Sequence, residues 1–164
     1  MLRRMPQVRP LDGSLFGDDQ LCFGCGPSNP SGFRLRFEED GDGVITRFVP
    51  QKHHQGPAGV MHGGLITTVA DETACWAILA ATGKFGFTTS IEAKVRRPVR
   101  LGVEAECRAW LTRRTPRVVR VAAVVRQGGE DCFTANFTFA ILQPNAAERL
   151  MGVALPEDWR RFCK

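Results

Sequence analysis

The feature that most constrains the fold is a loop at residues 53–64, followed by a long apolar repeat. The loop is rich in glycine and contains one proline, which is typical of a chain held in turns. Beyond it, apolar side chains recur every three or four residues as far as Gly83, which predicts an amphipathic helix. The repeating positions are Leu65, Ile66, Val69, Ala70, Thr73, Trp76, Ala77 and Ala80.

The residues that could take part in chemistry lie at the predicted start of this helix and on its polar face. Gly63 and Gly64 open the helix, so backbone N–H groups at its N-terminus can approach a ligand without a Cβ in the way. Such a terminus binds anions or stabilises an oxyanion that forms on an attacked carbonyl. Asp71 lies on the face opposite the apolar stripe. Glu72 follows it, but at about 100° per residue it points in a different direction.

The rest of the chain alternates apolar and polar residues with a period of two, which is typical of strands with one buried face. Predicted strands cover residues 33–37, 44–49, 85–95, 103–111, 118–125 and 133–141. Short turns connect them, and one helix lies among them. We therefore predict an α+β fold with an antiparallel sheet of about five to six strands around one long central helix. The valine-rich segment 118–125 is expected to be buried on both faces, with a partner subunit as the additional cover.

The domain organisation expected from these patterns is simple. Residues 1–20 are predicted to be an irregular lead-in, residues 21–143 one folded domain, and residues 144–164 a tail of short helical turns. The N-terminus lacks the apolar run of a signal peptide, and no segment is expected to reach the length of a membrane span. A cytoplasmic protein without a membrane partner is the expectation.

Charge and cysteine content exclude several function classes. The net charge is +5, but no run of five like charges and no nucleic-acid-binding motif occurs, so no nucleic-acid partner is expected. The six cysteines do not form a disulfide framework, because several fall inside predicted strands or the helix. Cys22 and Cys25 have the spacing of half a zinc site. No second half follows, and His53 and His54 contribute only if the fold brings them close, so neither a metal nor a cofactor is expected.

The helix start resembles that of a known family. His62-Gly63-Gly64, with an apolar helix and Asp71 nine residues after the histidine, resembles the hot-dog-fold acyl-CoA thioesterases, the PaaI-like (phenylacetate-pathway) group in particular. The loop at residues 22–33 and the segment at residues 88–102 also look like those of this family. The resemblance covers about residues 20–142, and it implies a hot-dog fold and hydrolysis of an acyl-CoA.

The resemblance also implies the roles of individual residues. The active site would lie between two subunits of a homodimer, or of a homotetramer built as a dimer of dimers. The Gly63 amide at the start of one helix, in the His62 motif, would polarise the thioester carbonyl. Asp71 on the partner's helix would act as nucleophile or general base, with Glu72 as its competitor.

For two further site positions, the resemblance leaves two candidate residues each. The family often has an asparagine or glutamine before the His-Gly-Gly motif, for which Gln55 is the nearest residue and His54 the alternative. The family also has a hydroxyl residue that can position water, and Thr88 or its neighbour Thr89 corresponds to it. Gly64 is expected beside the substrate.

Two other functions stay open at this stage. A non-catalytic acyl-binding protein can share the fold, because a fold alone does not grant activity. A hydroxyacyl-thioester dehydratase would depend on a catalytic histidine, for which His62 is the candidate. The sequence leaves undetermined which acyl group is bound.

Overall fold

The structure is a computed structural model that describes residues 10–163. Residues 1–9 of the predicted lead-in, and Lys164 in the predicted tail, lie outside the described residues. The strands are β1 (Glu38–Asp40), β2 (Gly43–Phe48), β3 (Phe87–Val95), β4 (Ala105–Arg114), β5 (Val118–Gln127) and β6 (Glu130–Ala140). The helices are α1 (Gly63–Thr82), α2 (Pro144–Met151) and α3 (Glu157–Arg160), with 3-10 turns at Gly13–Phe16 and Lys52–His54.

The strands form one six-stranded sheet in the order β1-β2-β4-β5-β6-β3. Every neighbouring pair in this order is antiparallel. Helix α1 packs across the inner face of the sheet, mainly against β4, β5 and β2. The predicted α+β architecture, a curled antiparallel sheet around one central helix, is therefore confirmed.

Helix α1 has the bounds that its apolar period predicts. It begins after His62 and ends at Gly83, whose φ of 68° is the left-handed conformation that glycine adopts at helix ends. Ten of its side chains are buried, from Ile66 to Thr82. By length and composition α1 could also cross a membrane, which contradicts the expectation that no segment would. Its apolar composition is accounted for by burial under the sheet.

The first predicted strand, residues 33–37, is wrong. Leu35 and Phe37 are buried while Arg34 and Arg36 are exposed, so the alternation is present. However, the backbone N–H groups of these two apolar residues donate to Gly24 O and Leu11 O, in the N-terminal loops rather than in the sheet. Arg34 also has a φ of 52°, which interrupts an extended chain. The sheet begins only at Glu38.

Two strands have faces that the subunit itself leaves uncovered. In β5, Val119 and Val121 are buried in the core, whereas Val118 and Arg120 on the opposite face are exposed. Val124 is buried on that opposite face, so the expected burial on both faces holds only near the end of the strand. Strand β3 pairs with β6 on one side and is the last strand of the sheet formed by residues 10–163. Almost all of its residues are exposed. This edge is open to pairing with another chain.

The N-terminal and C-terminal segments close one end of the helix together. Leu11, Leu15 and Phe16 are buried in the core. The Phe16 ring lies 4.6 Å from the Trp159 ring and 5.9 Å from the Trp76 ring of α1, measured between centroids. Both segments therefore contribute to the surroundings of the site described below.

Candidate active site

A cavity of about 260 Å³ lies beside the middle of α1. Its walls combine side chains of α1, the start of β3, and the two chain ends. They are mostly aromatic or aliphatic, with a few polar groups among them. The lining residues are Phe16, Gln20, Cys22, Cys25, Asp71, Glu72, Cys75, Trp76, Leu79, Phe85, Gly86, Phe87, Thr88 and Trp159.

The carboxylate of Asp71 is held at this cavity by strand β3. Thr88 Oγ1 donates a hydrogen bond of 2.7 Å to Asp71 Oδ1. Asp71 is half-buried, and burial raises its pKa, while the hydrogen bond from Thr88 acts in the opposite direction. A raised pKa moves a carboxylate towards the range in which it accepts a proton effectively at neutral pH.

The fold distinguishes between the two candidate hydroxyl residues. The pairing of β3 with β6 shifts register between Thr88 and Ser90. Thr89 directs its hydroxyl to Thr138 O, at 3.0 Å on β6. Thr88 is therefore the hydroxyl that reaches the carboxylate, and Thr89 is tied to the neighbouring strand.

At the start of α1, the two glycines differ in what their N–H groups do. His62 is the N-cap residue, and its Nδ1 accepts a hydrogen bond of 3.0 Å from the Gly64 N–H. Among the hydrogen bonds of residues 10–163, the Gly63 N–H donates none. A Cβ at Gly63 would meet nothing within 4 Å, so this end of the helix is open. The free donor is therefore the Gly63 amide.

The two candidates before the His-Gly-Gly motif lie away from the cavity. Gln55 is exposed, and its Oε1 accepts from the Gly59 N–H at 3.2 Å within its own loop. His54 is buried, its Nδ1 accepts from the Gln51 N–H at 2.9 Å, and its ring lies 4.4 Å from that of Phe33. Neither residue lines the cavity that contains Asp71.

Burial lowers the pKa of His54, and the neighbouring charge of His53 lowers it further. The Nε2 atom of His54 is buried without a hydrogen-bond partner among the described residues. Both observations indicate a neutral imidazole that supports the loop.

Glu72 is not a solvated acid on the helix surface. Its Oε1 accepts a hydrogen bond from Trp76 Nε1 at 3.2 Å, and both carboxylate oxygens lie 3.6 Å from Cys22 Sγ. Burial, with the charge of Cys22, raises the pKa of Glu72 to about 8. Hydrogen bonds from the Cys25 side chain and from the Cys25 and Gly24 backbone lower the pKa of Cys22 to about 5, against the effect of burial.

Sequence reasoning missed several cavity residues. Phe16 comes from the predicted lead-in and Trp159 from the predicted tail. The aromatic side chains in both segments were the only signal for them. The contact of Cys22 and Cys25 with Glu72 had a partial signal in the Cys-x-x-Cys spacing, but nothing local connects that loop with the helix.

The two reactive groups of the helix cannot meet within one subunit. Asp71 follows Gly63 by eight residues, which corresponds to about 12 Å along the axis at about 1.5 Å per residue. A carboxylate reaches only a few ångströms from its Cα, so Gly63 N–H and Asp71 cannot act on the same carbonyl. If both groups act on one substrate, a second subunit must supply one of them.

Comparison with known proteins agrees with this fold. The family model described as the thioesterase superfamily matches residues 58–133, which include Gly63, Asp71 and Thr88 and exclude the Cys22–Cys25 loop. No curated protein sequence matches the chain.

Solved structures with the same architecture have low sequence identity to this chain. A thioesterase superfamily protein has a TM-score of 0.67 and 22% identity, with 82% of this chain and 68% of that chain covered. A phenylacetic acid degradation-related protein from Ralstonia eutropha has a TM-score of 0.61 and 21% identity, with 66% of this chain and 86% of that chain covered. A conserved protein from Pseudomonas aeruginosa has a TM-score of 0.60 and 29% identity, with 66% of this chain and 88% of that chain covered. The family match and the shared architecture agree with the resemblance seen in the sequence: this chain has the hot-dog fold, and its residues 58–133 are similar to the thioesterase superfamily.

Proposed function

We propose that the protein hydrolyses an acyl thioester of the acyl-CoA class to the free acid and the thiol, with Asp71 as nucleophile or general base. The observation that carries this proposal is the Asp71 carboxylate, fixed by Thr88 at 2.7 Å, on the wall of a cavity with mostly aromatic and aliphatic walls. A carboxylate in such surroundings is poised to take a proton from water or to attack an electrophile.

The cavity is suited to the acyl part of the substrate. Trp76, Phe85, Phe87 and Trp159 supply apolar surface next to the carboxylate. Its volume of about 260 Å³ lies just below the usual range for ligand pockets, about 300 Å³ and above. A short or compact acyl group therefore fits, while the thiol part of the substrate would lie outside.

The chemistry follows from the two groups on α1. Asp71 removes a proton from water as the oxygen attacks the thioester carbon, or attacks that carbon itself. Negative charge then develops on the carbonyl oxygen, where the free Gly63 N–H and the positive end of the helix stabilise it. Collapse of the intermediate breaks the C–S bond, and the thiolate leaves and takes up a proton. Where Asp71 is the nucleophile, the acyl group is then held as an anhydride on Asp71, and water hydrolyses it to the free acid and the Asp71 carboxylate.

This chemistry requires a partner subunit, because Gly63 and Asp71 lie about 12 Å apart on one helix. The open edge of β3 is the surface that we propose for the pairing, since it carries Thr88 and exposes Ile91 and Val95. Pairing of two β3 edges would continue the sheet and bring a second helix close to the site. The assembly proposed is a homodimer, or a tetramer of two such dimers.

The alternative of a dehydratase that uses His62 is less well supported. Because His62 Nδ1 accepts a hydrogen bond from Gly64, the neutral ring carries its proton on Nε2. That nitrogen is then a donor and cannot act as the base. A purely acyl-binding protein would have no need of the contact between Thr88 and Asp71.

Incubation with a panel of acyl-CoAs, with release of free thiol followed over time, tests the proposal. We expect thiol release from short or compact acyl-CoAs by the wild type, and loss of most of it in Asp71→Asn. Binding without thiol release across the panel would support the acyl-binding alternative. Formation of the absorbance of an enoyl-CoA from a hydroxyacyl-CoA in the panel, with loss of water and without thiol release, would support the dehydratase.

A further inference from the structure

Three potential metal ligands form a cluster that the proposed hydrolysis does not use. The sulfur atoms of Cys22 and Cys25 and a carboxylate oxygen of Glu72 all lie within 4.8 Å of one another. The Cys22 sulfur is 3.6 Å from each oxygen of Glu72. Residues 50 positions apart in the chain are thus brought together on one wall of the cavity.

The loop that carries the two cysteines is folded so that both sulfurs face the helix. The Cys22 N–H donates to Gln20 Oε1 at 2.7 Å, and the Gly26 N–H donates to Cys22 O at 2.8 Å. These two hydrogen bonds fix the backbone at Cys22, and the Cys22 sulfur lies 3.6 Å from each carboxylate oxygen of Glu72 on α1.

Glycine at position 24 permits the close contact between loop and helix. A Cβ on Gly24 would lie 2.5 Å from Glu72 Cγ and 2.6 Å from Glu72 Oε2. On the other side, a Cβ on Gly13 would lie 1.9 Å from Cys25 O. The Cys-x-x-Cys loop is therefore held tightly between the N-terminal turn and the carboxylate.

The part of the chain that the structure describes supplies no cationic side chain to the cluster. None of the ion pairs formed within residues 10–163 includes Glu72. The side chains that donate to it are the neutral Trp76, to Glu72, and Gln20, to Cys25 at 3.8 Å. Two thiols and a carboxylate at such distances offer up to three negative charges, which are unfavourable together unless a cation or protons compensate them.

We propose that Cys22, Cys25 and Glu72 bind a thiophilic divalent cation, Zn²⁺, with a fourth coordination position that faces the cavity. Zinc bonds of about 2.3 Å to sulfur and about 2.1 Å to oxygen place tetrahedral ligands roughly 3.5–3.8 Å apart. The separation of 3.6 Å between Cys22 and Glu72 already has this value. Two thiolates with one carboxylate favour zinc over magnesium or calcium, which prefer oxygen ligands alone.

The expectation of no metal rested on the absence of a second ligand pair in the sequence. The fold supplies the third ligand from α1 instead, and all three ligands line the cavity, which leaves the fourth position to water or a substrate atom. Binding would release to solvent the protons held by the thiols and the carboxyl group. Neither Asp71 nor Gly63 is a ligand, so the proposal does not depend on the hydrolytic mechanism.

Metal content and zinc affinity test the site without any activity assay. The protein is purified under reducing conditions without an affinity tag, and its zinc content is measured by elemental analysis. Metal is then removed with a chelator, and Zn²⁺ is titrated back against a chromophoric competitor. We expect one zinc per chain, and roughly 100-fold weaker binding in Cys22→Ser, Cys25→Ser and Glu72→Gln. Cys75→Ser is the matched control, because this thiol lines the same cavity outside the cluster and should leave zinc affinity unchanged.

Cobalt provides a readout that separates ligation from folding. Co²⁺ added to the metal-free wild type should give thiolate-to-cobalt charge-transfer absorption and the intense visible bands of a tetrahedral ion. Circular dichroism of each variant reports whether it is folded, and Glu72→Gln preserves the shape of the side chain. Absence of stoichiometric binding to the reduced wild type would overturn the proposal. Equal zinc affinity in the wild type and the three folded ligand variants would overturn it as well.

Discussion

Thr88 Oγ1 lies 2.7 Å from Asp71 Oδ1, and this hydrogen bond joins the edge strand β3 to the central helix. It is the only hydrogen bond to the Asp71 carboxylate from residues 10–163. The second carboxylate oxygen is therefore available to water or substrate. The site thus combines a group fixed in position with one free acceptor atom.

The first prediction concerns Asp71. Asp71→Asn keeps the size of the side chain but removes its charge and its capacity to accept a proton. We expect kcat for acyl-CoA hydrolysis to fall by roughly 100-fold or more, with KM changed far less. Steady-state kinetics on the best substrate of the panel measures both. Asp42→Asn is the control, because Asp42 is an exposed carboxylate paired with Arg108. Near-wild-type kcat in Asp71→Asn would refute the mechanism.

The second prediction concerns the hydrogen bond to Asp71. Thr88→Val keeps the branched shape and removes the donor, whereas Thr88→Ser keeps the donor. A hydrogen bond to a charged group contributes about 1.5–3 kcal/mol, so we expect kcat to fall at least about tenfold in the valine variant. The serine variant should recover most of the activity. Equal rates in the two variants would show that the hydroxyl has no positioning role.

The third prediction tests whether the site is shared between subunits. Gly63→Pro removes the free N–H, and proline is tolerated at the first position of a helix. The preceding residue, His62, has φ −62° and ψ 133°, the conformation favoured before proline. Neither Gly63→Pro nor Asp71→Asn should be active alone. Mixed dimers should contain one site with both native groups, so equal mixing should restore about a quarter of wild-type activity.

Its control is Gly63→Ala, which keeps the N–H and whose Cβ would meet nothing within 4 Å in the subunit. We expect this variant to retain activity. Light scattering should show a dimer or tetramer for each protein. If the two inactive variants recover no activity after confirmed subunit exchange, the two groups do not act across an interface.

The fourth prediction concerns stability at acidic pH. Burial lowers the pKa of His54 below its ordinary value of 6.5, so the unfolded chain binds a proton at this residue more tightly than the folded one. The contribution of neutral His54 to the free energy of unfolding is therefore fully present above about pH 6.5. We expect this contribution to be lost progressively as the pH falls towards the folded-state pKa. Urea unfolding of wild type and His54→Gln from pH 8 to pH 5 measures the difference.

The matched control for this titration is His53→Gln, an exposed neighbour of the same residue type. Because burial is the larger cause of the shift at His54 and the charge of His53 the smaller, most of the pH dependence should remain in this variant. A wild-type unfolding profile that coincides with that of His54→Gln over the whole pH range would show that the imidazole does not titrate differently on folding.

The sequence by itself determined the elements whose signal is local. The helix from Gly63 to Gly83 and the later strands were predictable because their periods report which side of each element is buried. The free amide at Gly63 and the position of Asp71 on the face opposite the apolar stripe follow from the same helix geometry. The α+β architecture then follows from one apolar helix among short-connected strands.

Only the tertiary structure decided contacts between distant segments. Residues 33–37 alternate like a strand, but the N-terminal loops take their hydrogen bonds, because local alternation does not specify the partner. The choice of Thr88 over Thr89 depends on the register shift in β3. From the sequence, Glu72 is only the competitor of Asp71, and the folded chain places Cys22 beside it. Such contacts depend on how loops close over the helix, and no periodicity along one segment encodes that.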